Sequence, residues 1–462
     1  MKIDTVSANS LLRYGRLDSK YYLSPAIQAK ERIHIAKLHG LTCRKLGGKD
    51  GLAEIWQPNR FKRAYAAPLE EKAPYLRPYD VFEFLPTPAD WLSVTRNKDM
   101  ESYILKRGMI LQSCSGRNLG PAIFVDEYLA RFIVGDDMIR IEIENERIRY
   151  YVLAFLKSPT GQNLLKQGKT GSVIDHLSKD HVSSLEVPFI AEDIITNVAT
   201  LMKKSIESRE KARLAIDKAI TNYEDHLPKL SRIQRTCDGW TVRSRSLSGR
   251  LDAAYYDPLV KKVKKELLDM GGKMVRDVAD VIKPPGRYKT LYVGSEYGLP
   301  LVSGTQLLQD TPINLRYMPA WAFNTVEEYM IKSGWIAYQA DGRAEETLGL
   351  PVLITKNRNN WLASGHIGRL VPKRGVSSGW IFLALRTKHA QLQIKSTASG
   401  SVVDSTFPED MESVVLPPQL RTIDSNHVEK MWDLFSDAEL AELQAVKTVE
   451  NALNDTLNKK RK

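Results

Sequence analysis

Two short segments of the sequence combine basic and aromatic side chains beside turn-forming residues. The first, NRFKRAY (59–65), offers Arg60, Lys62, Arg63 and Tyr65. The second, GRYK (286–289), offers Arg287, Tyr288 and Lys289. Arginine and lysine bind phosphate groups, and arginine also forms paired hydrogen bonds with the edge of guanine. We interpret both segments as candidate nucleic-acid contacts; the alternative is that each is a solvated surface loop.

Two predicted turns carry a second set of polar side chains. SCSGR (113–117) offers Ser113, Ser115 and Arg117. QADGR (339–343) offers Gln339, Asp341 and Arg343. The two turns share only their last glycine and arginine, and the glycines are expected to serve the turn itself. Because the other polar residues differ, the turns are candidates for reading two different base sequences.

A later loop in each half of the chain adds further hydrogen-bonding side chains. It carries Asp175 and His176 in the first half, and Asp404 and Ser405 in the second. These side chains can bind a base edge, or the aspartates can cap the turns in which they lie. Both interpretations stay open.

The sequence contains no recognisable motif for catalysis or metal binding. The segment GQNLLKQGKTGS (161–172) places six residues between Gly161 and Gly168, whereas a phosphate-binding loop requires four. The eight histidines show no ligand spacing, and the three cysteines are too few and too far apart for a zinc site or a disulfide framework. We therefore predict no catalytic residue, metal or cofactor in this chain.

The composition favours a polyanionic partner. The chain has 462 residues, a formal net charge of +12 and a pI near 9.3, and such an excess of positive charge attracts polyanions at long range. A short basic run at 459–462 is interpreted as a solvated tail. No apolar run approaches the roughly 20 residues of a membrane span, and the few cysteines fit a reducing compartment. We expect a soluble, cytoplasmic protein with no membrane partner.

An internal repeat relates these segments to one another. Four pairs of blocks recur in the same order: GRLDSKYYLSP (15–25) with GRLDAAYYDP (249–258), LAEIWQPNRFKRAY (52–65) with VADVIKPPGRYKTLY (278–292), ESYILKRGMILQSCSGR (101–117) with EEYMIKSGWIAYQADGR (327–343), and GSVIDHLSKDHVSSLEVP (171–188) with GSVVDSTFPEDMESVVLP (400–417). The pairs Ser24-Pro25 and Asp257-Pro258 predict that a helix begins at this point in both copies. Two tandem copies of one α/β domain explain the repeated order.

Each copy is followed by an apolar stripe with steps of three and four residues, which predicts a long helix with a heptad seam. The first stripe is Ile195, Val198, Met202, Ser205, Arg209, Ala212, Ile216, Ala219 and Tyr223. The second stripe is Val428, Met431, Phe435, Ala438, Glu442, Ala445, Val449, Ala452 and Thr456. At 1.5 Å per residue, each helix would be roughly 45 to 50 Å long. The alternative is that each helix packs only on its own domain.

The middle position of each stripe is charged, and the two charges are opposite: Arg209 and Glu442. In an antiparallel helix pair, equivalent positions meet only at the centre. We therefore predict that these two side chains lie within salt-bridge distance of each other. A single charged layer of this kind can fix the register of two helices.

The duplicated domain with a long helix after each copy resembles the specificity subunit of type I restriction-modification systems. The resemblance rests on the RLDxxYY opening, the GxI…SG block, the late glycine-serine loop and the VP or LP strand exit before each helix. It covers nearly the whole chain. The sequence departs from the family at PFIAEDI (188–194) and PPQLRTI (417–423), where the family has a PLAEQ linker.

This resemblance implies an α+β fold in which two tandem, pseudo-twofold-related α/β target recognition domains are separated by two long antiparallel coiled-coil helices. It implies a non-catalytic subunit that recognises a two-part target in double-stranded DNA. The family recruits two methyltransferase subunits, which bind S-adenosylmethionine, and motor-nuclease subunits can join them. Such complexes methylate host DNA and defend against phage.

The repeat and the stripes predict four segments. These are a first target recognition domain at 1–190, a first spacer helix at 191–230, a second target recognition domain at 231–420, and a second spacer helix with the basic tail at 421–462. Two alternatives remain open at this point. The first is a single-chain DNA nuclease or methyltransferase with an unrecognised active site. The second is a DNA-binding scaffold of another phage-defence complex.

Overall fold

The computed structural model describes residues 8–14, 22–88, 90–97, 100–115, 119–167, 176–230, 239–282, 288–400 and 403–458. The chain forms two compact units. Unit 1 contains Met1–Phe82, Pro86–Glu210 and Asp437–Lys462, and unit 2 contains Glu83–Leu85 and Lys211–Ser436. The predicted segments treat the long helices as separate spacers, whereas each unit includes part of each long helix.

The described part of unit 1 contains three sheets. Its strands are β1 Thr42–Lys45, β2 Glu54–Trp56, β3 Lys72–Leu76, β4 Asp90–Ser93, β5 Ile110–Ser113, β6 Ala122–Phe124, β7 Ile133–Val134, β8 Met138–Glu142 and β9 Glu186–Phe189. A four-stranded antiparallel sheet has the order β2-β8-β5-β6, and β1 pairs with β9. In a three-stranded sheet, β3 pairs antiparallel with β4 and parallel with β7.

The helices of unit 1 pack on these sheets. They are α1 Ala8–Tyr14, α2 Pro25–Leu38, α3 Glu146–Lys157, α4 Pro159–Gln167, α5 Lys179–Ser184 and the first part of α6 Glu192–Asp225. Asn145 starts α3 by accepting a hydrogen bond from the N–H of Ile148, as an N-cap residue does. Every residue from Tyr150 to Leu156 is buried, so α3 is a central helix of the core.

The two larger sheets of unit 2 repeat the strand arrangement of unit 1. The strands of unit 2 are β10 Lys273–Met274, β11 Ala279–Ile282, β12 Leu299–Val302, β13 Arg316–Met318, β14 Ile336–Gln339, β15 Asp341–Gly342, β16 Pro351–Leu353, β17 Leu362–Ala363, β18 Ile367–Pro372, β19 Asp404–Ser405 and β20 Val415–Leu416. The four-stranded order β11-β18-β14-β16 matches β2-β8-β5-β6. In the small sheet, β12 again has one antiparallel neighbour, β13, and one parallel neighbour, β17. The predicted pair of tandem α/β domains is confirmed.

The longer helices of unit 2 follow those of unit 1 in order. The helices of unit 2 are α7 Pro258–Asp269, α8 Val275–Val278, α9 Gly304–Leu308, α10 Ser378–Arg386, α11 Lys388–Ser396, α12 Pro408–Glu412 and the first part of α13 Ser425–Asn458. As predicted, α2 and α7 begin at Pro25 and Pro258. The side chain of Asp257 caps α7 by accepting the N–H of Leu259, whereas the side chain of Ser24 makes no capping bond.

The two long helices, α6 and α13, each contain 34 residues and are about 51 Å long at 1.5 Å per residue. Unit 1 includes α6 up to residue 210 and α13 from residue 437, and unit 2 includes the other halves. The first half of one helix thus shares a unit with the second half of the other, so the helices run antiparallel. Among the helices of the described chain, none is long and apolar enough to cross a membrane.

The predicted stripes form the buried faces of α6 and α13. All of their positions are buried except Ala219, Met431 and Thr456, which are half-buried. In unit 1 the helices also touch through polar atoms, because the hydroxyl of Ser205 donates to the carbonyl of Ala438 at 2.7 Å. Each helix therefore packs against the other helix as well as against the sheets and helices of a unit.

Candidate nucleic-acid interface

The first basic segment lies at the outer edge of the three-stranded sheet of unit 1. The N–H of Ser93 donates to the carbonyl of Ala64 at 2.9 Å, and the N–H of Ala66 donates to the carbonyl of Trp91 at 2.8 Å. The side-chain amide of Asn97 bonds to both backbone groups of Ala64, at 2.8 and 2.9 Å. These bonds fix the segment beside β4.

Neighbouring side chains of this segment face opposite directions. Phe61 packs on Tyr103, with ring centroids 4.1 Å apart, in the small core of the sheet. The flanking Arg60 and Lys62 are exposed. The aromatic residue therefore anchors the segment, and the two basic residues are available to an anionic partner.

Cation–aromatic pairs continue along the same sheet. Arg63 is exposed, and its guanidinium lies 5.1 Å from the ring centroid of Tyr75, while Tyr65 is 51% exposed. Lys72 on β3 places its ammonium 5.1 Å from the ring centroid of Trp91 on β4. This last pair has no signal in the sequence, because only the register of β3 and β4 brings the two residues together. Such pairs present positive charge above an aromatic face.

The second basic segment takes the equivalent place in unit 2. The N–H of Val293 donates to the carbonyl of Tyr317 on β13 at 3.0 Å, so this segment also follows the outer edge of a three-stranded sheet. Lys289 is exposed, as Lys62 is in unit 1. The predicted contact at Arg287 lies outside the described residues.

Tyr288 is half-buried and anchors the second basic segment in unit 2. Its ring packs edge-on against Phe323 and Tyr329, at centroid distances of 5.2 and 5.1 Å. Burial raises the pKa of Tyr288 to about 12. This position matches that of Phe61, whose ring packs on Tyr103. The predicted DNA contact of Tyr288 is thereby limited to its hydroxyl, because its ring faces the aromatic cluster.

Unit 2 has its own exposed cation–aromatic pair. Nη1 of Arg316 donates to the hydroxyl of Tyr292 at 2.8 Å, and the guanidinium lies 4.6 Å from the ring centroid. Tyr292 is 47% exposed, and Trp321 close to the end of β13 is 76% exposed. The sequence pairs Tyr292 with Tyr65, but Arg316 carries no signal until β13 is placed beside the segment.

The predicted contacts in the turn after β5 differ in their burial. Ser113 is the last residue of β5, pairs with Met138 and is 1% exposed, so it is not a surface contact. Ser115 is half-buried, and its hydroxyl donates to Oδ1 of Asp137 at 2.6 Å. Arg117 lies outside the described residues. The prediction for Ser113 is corrected because the strand extends further than the turn motif suggests.

Side-chain hydrogen bonds hold the turn after β14. Gln339 donates to the carbonyl of Asp341 at 2.9 Å and accepts from the hydroxyl of Thr347 at 2.8 Å. Its amide is therefore occupied within the turn. Arg343 is 67% exposed and lies 3.8 Å from Glu346. Arg343 and Asp341 thus remain the candidate contacts of this turn.

In the late loop, Asp404 caps a turn, whereas Ser405 and His176 lie beside other predicted contacts. Oδ2 of Asp404 accepts the backbone N–H of Ala344 at 2.9 Å, which supports the turn-capping interpretation. Ser405 donates to Oδ1 of Asp341 at 2.5 Å. In unit 1, His176 is exposed and forms a backbone bridge with Ser115, whereas Asp175 lies outside the described residues.

The buried seam of unit 1 contains a charged layer. Nη1 of Arg209 lies 2.8 Å from Oε2 of Glu442, and Nζ of Lys157 lies 2.7 Å from its Oε1. Burial opposes ionisation of Glu442, but the two cations outweigh it and lower the pKa of Glu442 to about 2. The predicted partners thus lie within salt-bridge distance, with Lys157 of α3 as a third member.

Metal-binding side chains and cysteine thiols were the remaining chemical groups to place. Within the part of the chain that the structure describes, no group of three or more His, Cys, Asp or Glu side chains is placed to hold a metal ion. Burial raises the pKa of Cys43 to about 11 and that of Cys114 to about 12, so both thiols are protonated at neutral pH.

No family model matches this chain, and no curated protein matches it. Solved structures do. An S subunit of a type I restriction-modification system from M. genitalium is 12% identical, covers 90% of this chain and 95% of its own, and has a TM-score of 0.30.

Two further solved structures give the same result. The HsdS subunit from Thermoanaerobacter tengcongensis is 12% identical and covers 90% of this chain and 99% of its own, with a TM-score of 0.27. A chain from a type I restriction-modification assembly is 13% identical and covers 88% and 97%, with a TM-score of 0.28. The chain is similar to type I specificity subunits. This is the family that the repeated segments of the sequence resemble.

Proposed function

We propose that this chain is the non-catalytic specificity subunit of a type I restriction-modification system. In this proposal, each unit binds one part of a two-part target in double-stranded DNA. Methylation and cleavage take place in partner chains. The protein acts in the cytoplasm, where it meets both host DNA and phage DNA.

The repeated position of the two basic segments carries this proposal. In each unit the segment follows the outer edge of the three-stranded sheet, with Phe61 or Tyr288 facing the core. Lys62 and Lys289 face solvent. Two copies of one cationic edge fit two stretches of a polyanion, and the formal charge of +12 favours the same partner.

The duplication also supports the proposed partners. Two copies of one unit offer two equivalent surfaces, so a partner that binds one surface has a second place to bind. We propose two methyltransferase subunits as these partners, with S-adenosylmethionine bound to them. Motor-nuclease subunits can then join the complex.

Selection from a pool of randomised duplex DNA tests the DNA-reading role of the full-length chain. We expect the bound fraction to contain two short motifs at a fixed separation, and we expect affinity to fall by orders of magnitude between 50 and about 200 mM salt. A pool without a motif contradicts sequence recognition. An affinity that does not respond to salt contradicts binding to phosphates.

Two further measurements separate this function from the alternatives. The purified chain should neither cleave duplex DNA in Mg²⁺ nor transfer labelled methyl groups from S-adenosylmethionine; either activity favours a single-chain enzyme. Copurification from the native host should return methyltransferase chains, and mapping of methylated bases with and without this gene should locate them in the selected motif. Other copurifying enzymes favour a different defence complex.

A further inference from the structure

Each unit places three hydrogen-bonding side chains together at one end of its four-stranded sheet. The first position lies two residues after β5 or β14, the second directly precedes β8 or β18, and the third lies in the late loop. In unit 1 these residues are Ser115, Asp137 and His176, and in unit 2 they are Asp341, His366 and Ser405. We call each set the polar triplet of its unit.

The backbone that carries the polar triplet is the same in both units. In unit 1, the N–H of Cys114 donates to the carbonyl of Asp137 at 3.1 Å, and the N–H of Leu177 donates to the carbonyl of Cys114 at 2.8 Å. In unit 2, Ala340 takes the place of Cys114, and the two equivalent bonds measure 2.9 Å each. The first and third positions also pair across an antiparallel bridge in both units. The three positions are therefore equivalent in space.

The side chains at these positions are a permutation of one set. Each triplet contains one serine, one aspartate and one histidine, and no position carries the same residue in both units. Because the backbone frame is unchanged by the exchange, packing does not demand a particular residue at any of the three positions. The difference between the triplets is therefore available for recognition.

The triplets are linked internally and reach the surface. In unit 1, Ser115 donates to Oδ1 of Asp137 at 2.6 Å. In unit 2, Ser405 donates to Oδ1 of Asp341, and Nδ1 of His366 lies against its Oδ2, both at 2.5 Å. The side chain of His366 is 69% exposed and that of Asp341 is 26% exposed. These bonds orient the polar atoms without removing them from solvent.

The order of the contacts excludes a hydrolytic triad in unit 2. In such a triad the imidazole lies between the serine and the aspartate and takes the proton of the serine. Here Asp341 lies between Ser405 and His366, so the hydroxyl has no imidazole to activate it. The chemistry that remains is the donation and acceptance of hydrogen bonds.

A carboxylate that contacts DNA is expected to contact the bases. It is repelled by phosphates and only accepts hydrogen bonds, so it suits the exocyclic amino group of cytosine or adenine. The neighbouring hydroxyl and imidazole can donate or accept, and their permutation presents a different pattern in each unit. A different pattern on the same frame selects different bases.

We propose that the polar triplets read base edges in the two parts of the DNA target, with Asp137 and Asp341 each accepting a hydrogen bond from the amino group of a cytosine or adenine. This inference rests on the proposed function, and it names the residues that distinguish the two units. The basic segments then supply phosphate contacts, and the triplets supply sequence preference.

The test repeats the selection from randomised duplex DNA with full-length variants. For Asp341→Asn and His366→Gln, we expect the preference at one or two base pairs to change by about tenfold or more in one part of the motif. Asp137→Asn should change the other part. In each case the unaffected part of the motif shows that the variant is folded and binds DNA.

Asp404→Asn is the matched control for these variants. Asp404 is the neighbour of Ser405 in the same loop, but its carboxylate accepts the backbone N–H of Ala344. We expect this variant to retain both parts of the motif. A shared effect of Asp404→Asn and Asp341→Asn would show that the triplet only supports the loop, which overturns the inference.

The outcomes separate this inference from the proposed function. If the wild-type chain returns a two-part motif and the triplet variants return the same motif, the triplets do not read bases, while the proposed function stands. Uniformly weaker binding with unchanged base preferences overturns the inference in the same way. If the wild-type chain itself returns no motif, the proposed function fails.

Discussion

Arg209 and Glu442 meet inside the seam of unit 1, where Nη1 of the arginine lies 2.8 Å from Oε2 of the glutamate. Their side chains are only 8% and 7% exposed. Lys157 binds the second carboxylate oxygen of Glu442 at 2.7 Å. One carboxylate therefore joins α6, α13 and α3 at a position where none of the charges is well hydrated.

The cost of breaking this layer should depend on which charges remain. Glu442→Leu leaves the buried Arg209 without its carboxylate, and we expect the free energy of unfolding to fall by about 3 to 5 kcal/mol. The double variant Arg209→Met with Glu442→Leu removes the stranded arginine and leaves only the less buried Lys157 without its carboxylate, so it should be more stable than Glu442→Leu alone. Urea denaturation followed by circular dichroism measures both. A double variant less stable than the single variant contradicts this account.

The same carboxylate predicts a dependence of stability on pH. Arg209 and Lys157 hold the pKa of Glu442 at about 2 in the folded chain, below its ordinary value of 4.5. Stability contributed by a lowered pKa is present above the unfolded pKa and is lost as the pH falls toward the folded pKa. The difference in urea midpoint between wild type and Glu442→Gln should therefore be constant above about pH 5.5 and shrink from about pH 4.5 downward. A difference that does not shrink contradicts the shifted pKa.

The exposed lysines of the basic segments should contribute to affinity without contributing to sequence preference. Lys62→Ala and Lys289→Ala each remove one positive charge from the edge of a sheet, so each should reduce the slope of log affinity against log salt by about 1. The selected motif should not change. Lys265→Ala, an exposed lysine on α7, is the control and should leave the slope unchanged. A changed motif in Lys62→Ala would mean that this lysine reads a base.

Tyr288 should matter for the stability of unit 2 and not for DNA binding. Tyr288→Ala removes a ring from the cluster with Phe323 and Tyr329, and we expect the free energy of unfolding to fall by about 2 kcal/mol. Tyr288→Phe keeps the ring and should retain both stability and affinity. If Tyr288→Phe lowers DNA affinity at unchanged stability, the hydroxyl contacts DNA.

The fully buried Arg140 should hold the turn that carries Asp137. Its guanidinium donates to the carbonyl of Gly135 at 2.9 Å and to those of Met138 and Val134 at 2.5 Å each. Burial lowers the pKa of Arg140 to about 10, which leaves it charged at neutral pH. Arg140→Met leaves these carbonyls without the guanidinium donor, so the free energy of unfolding should fall by about 3 kcal/mol. The part of the motif assigned to Asp137 should become less well defined in the DNA selection. An unaltered motif would show that Arg140 does not influence base recognition.

Periodic features could be predicted from the sequence because they depend on local geometry. The steps of three and four residues predicted both long helices, and their opposite central charges led to the expectation that Arg209 and Glu442 meet. The equivalence of the basic segments followed from the repeat. The role of each side chain in those segments did not, because Arg60 and Phe61 differ in direction only once the segment lies against a sheet.

Contacts at the site were less accessible to sequence reasoning. Serine is common in turns, but Ser113 is paired in β5 and is buried there. Tyr288 carries a hydroxyl that suits recognition, but its ring fills a cluster whose other members are distant in sequence. A side chain's neighbours, and not its own chemistry, decided both cases.

The sequence by itself determined that the chain contains two copies of one α/β domain, each followed by a long amphipathic helix, because repetition and helical periodicity are properties of neighbouring residues. Only the tertiary structure decided which strands pair, which halves of the long helices share a unit, and that Ser115, Asp137 and His176 occupy the positions of Asp341, His366 and Ser405. Such groups come from segments far apart in the chain. Their proximity depends on strand register and packing, which no local pattern specifies.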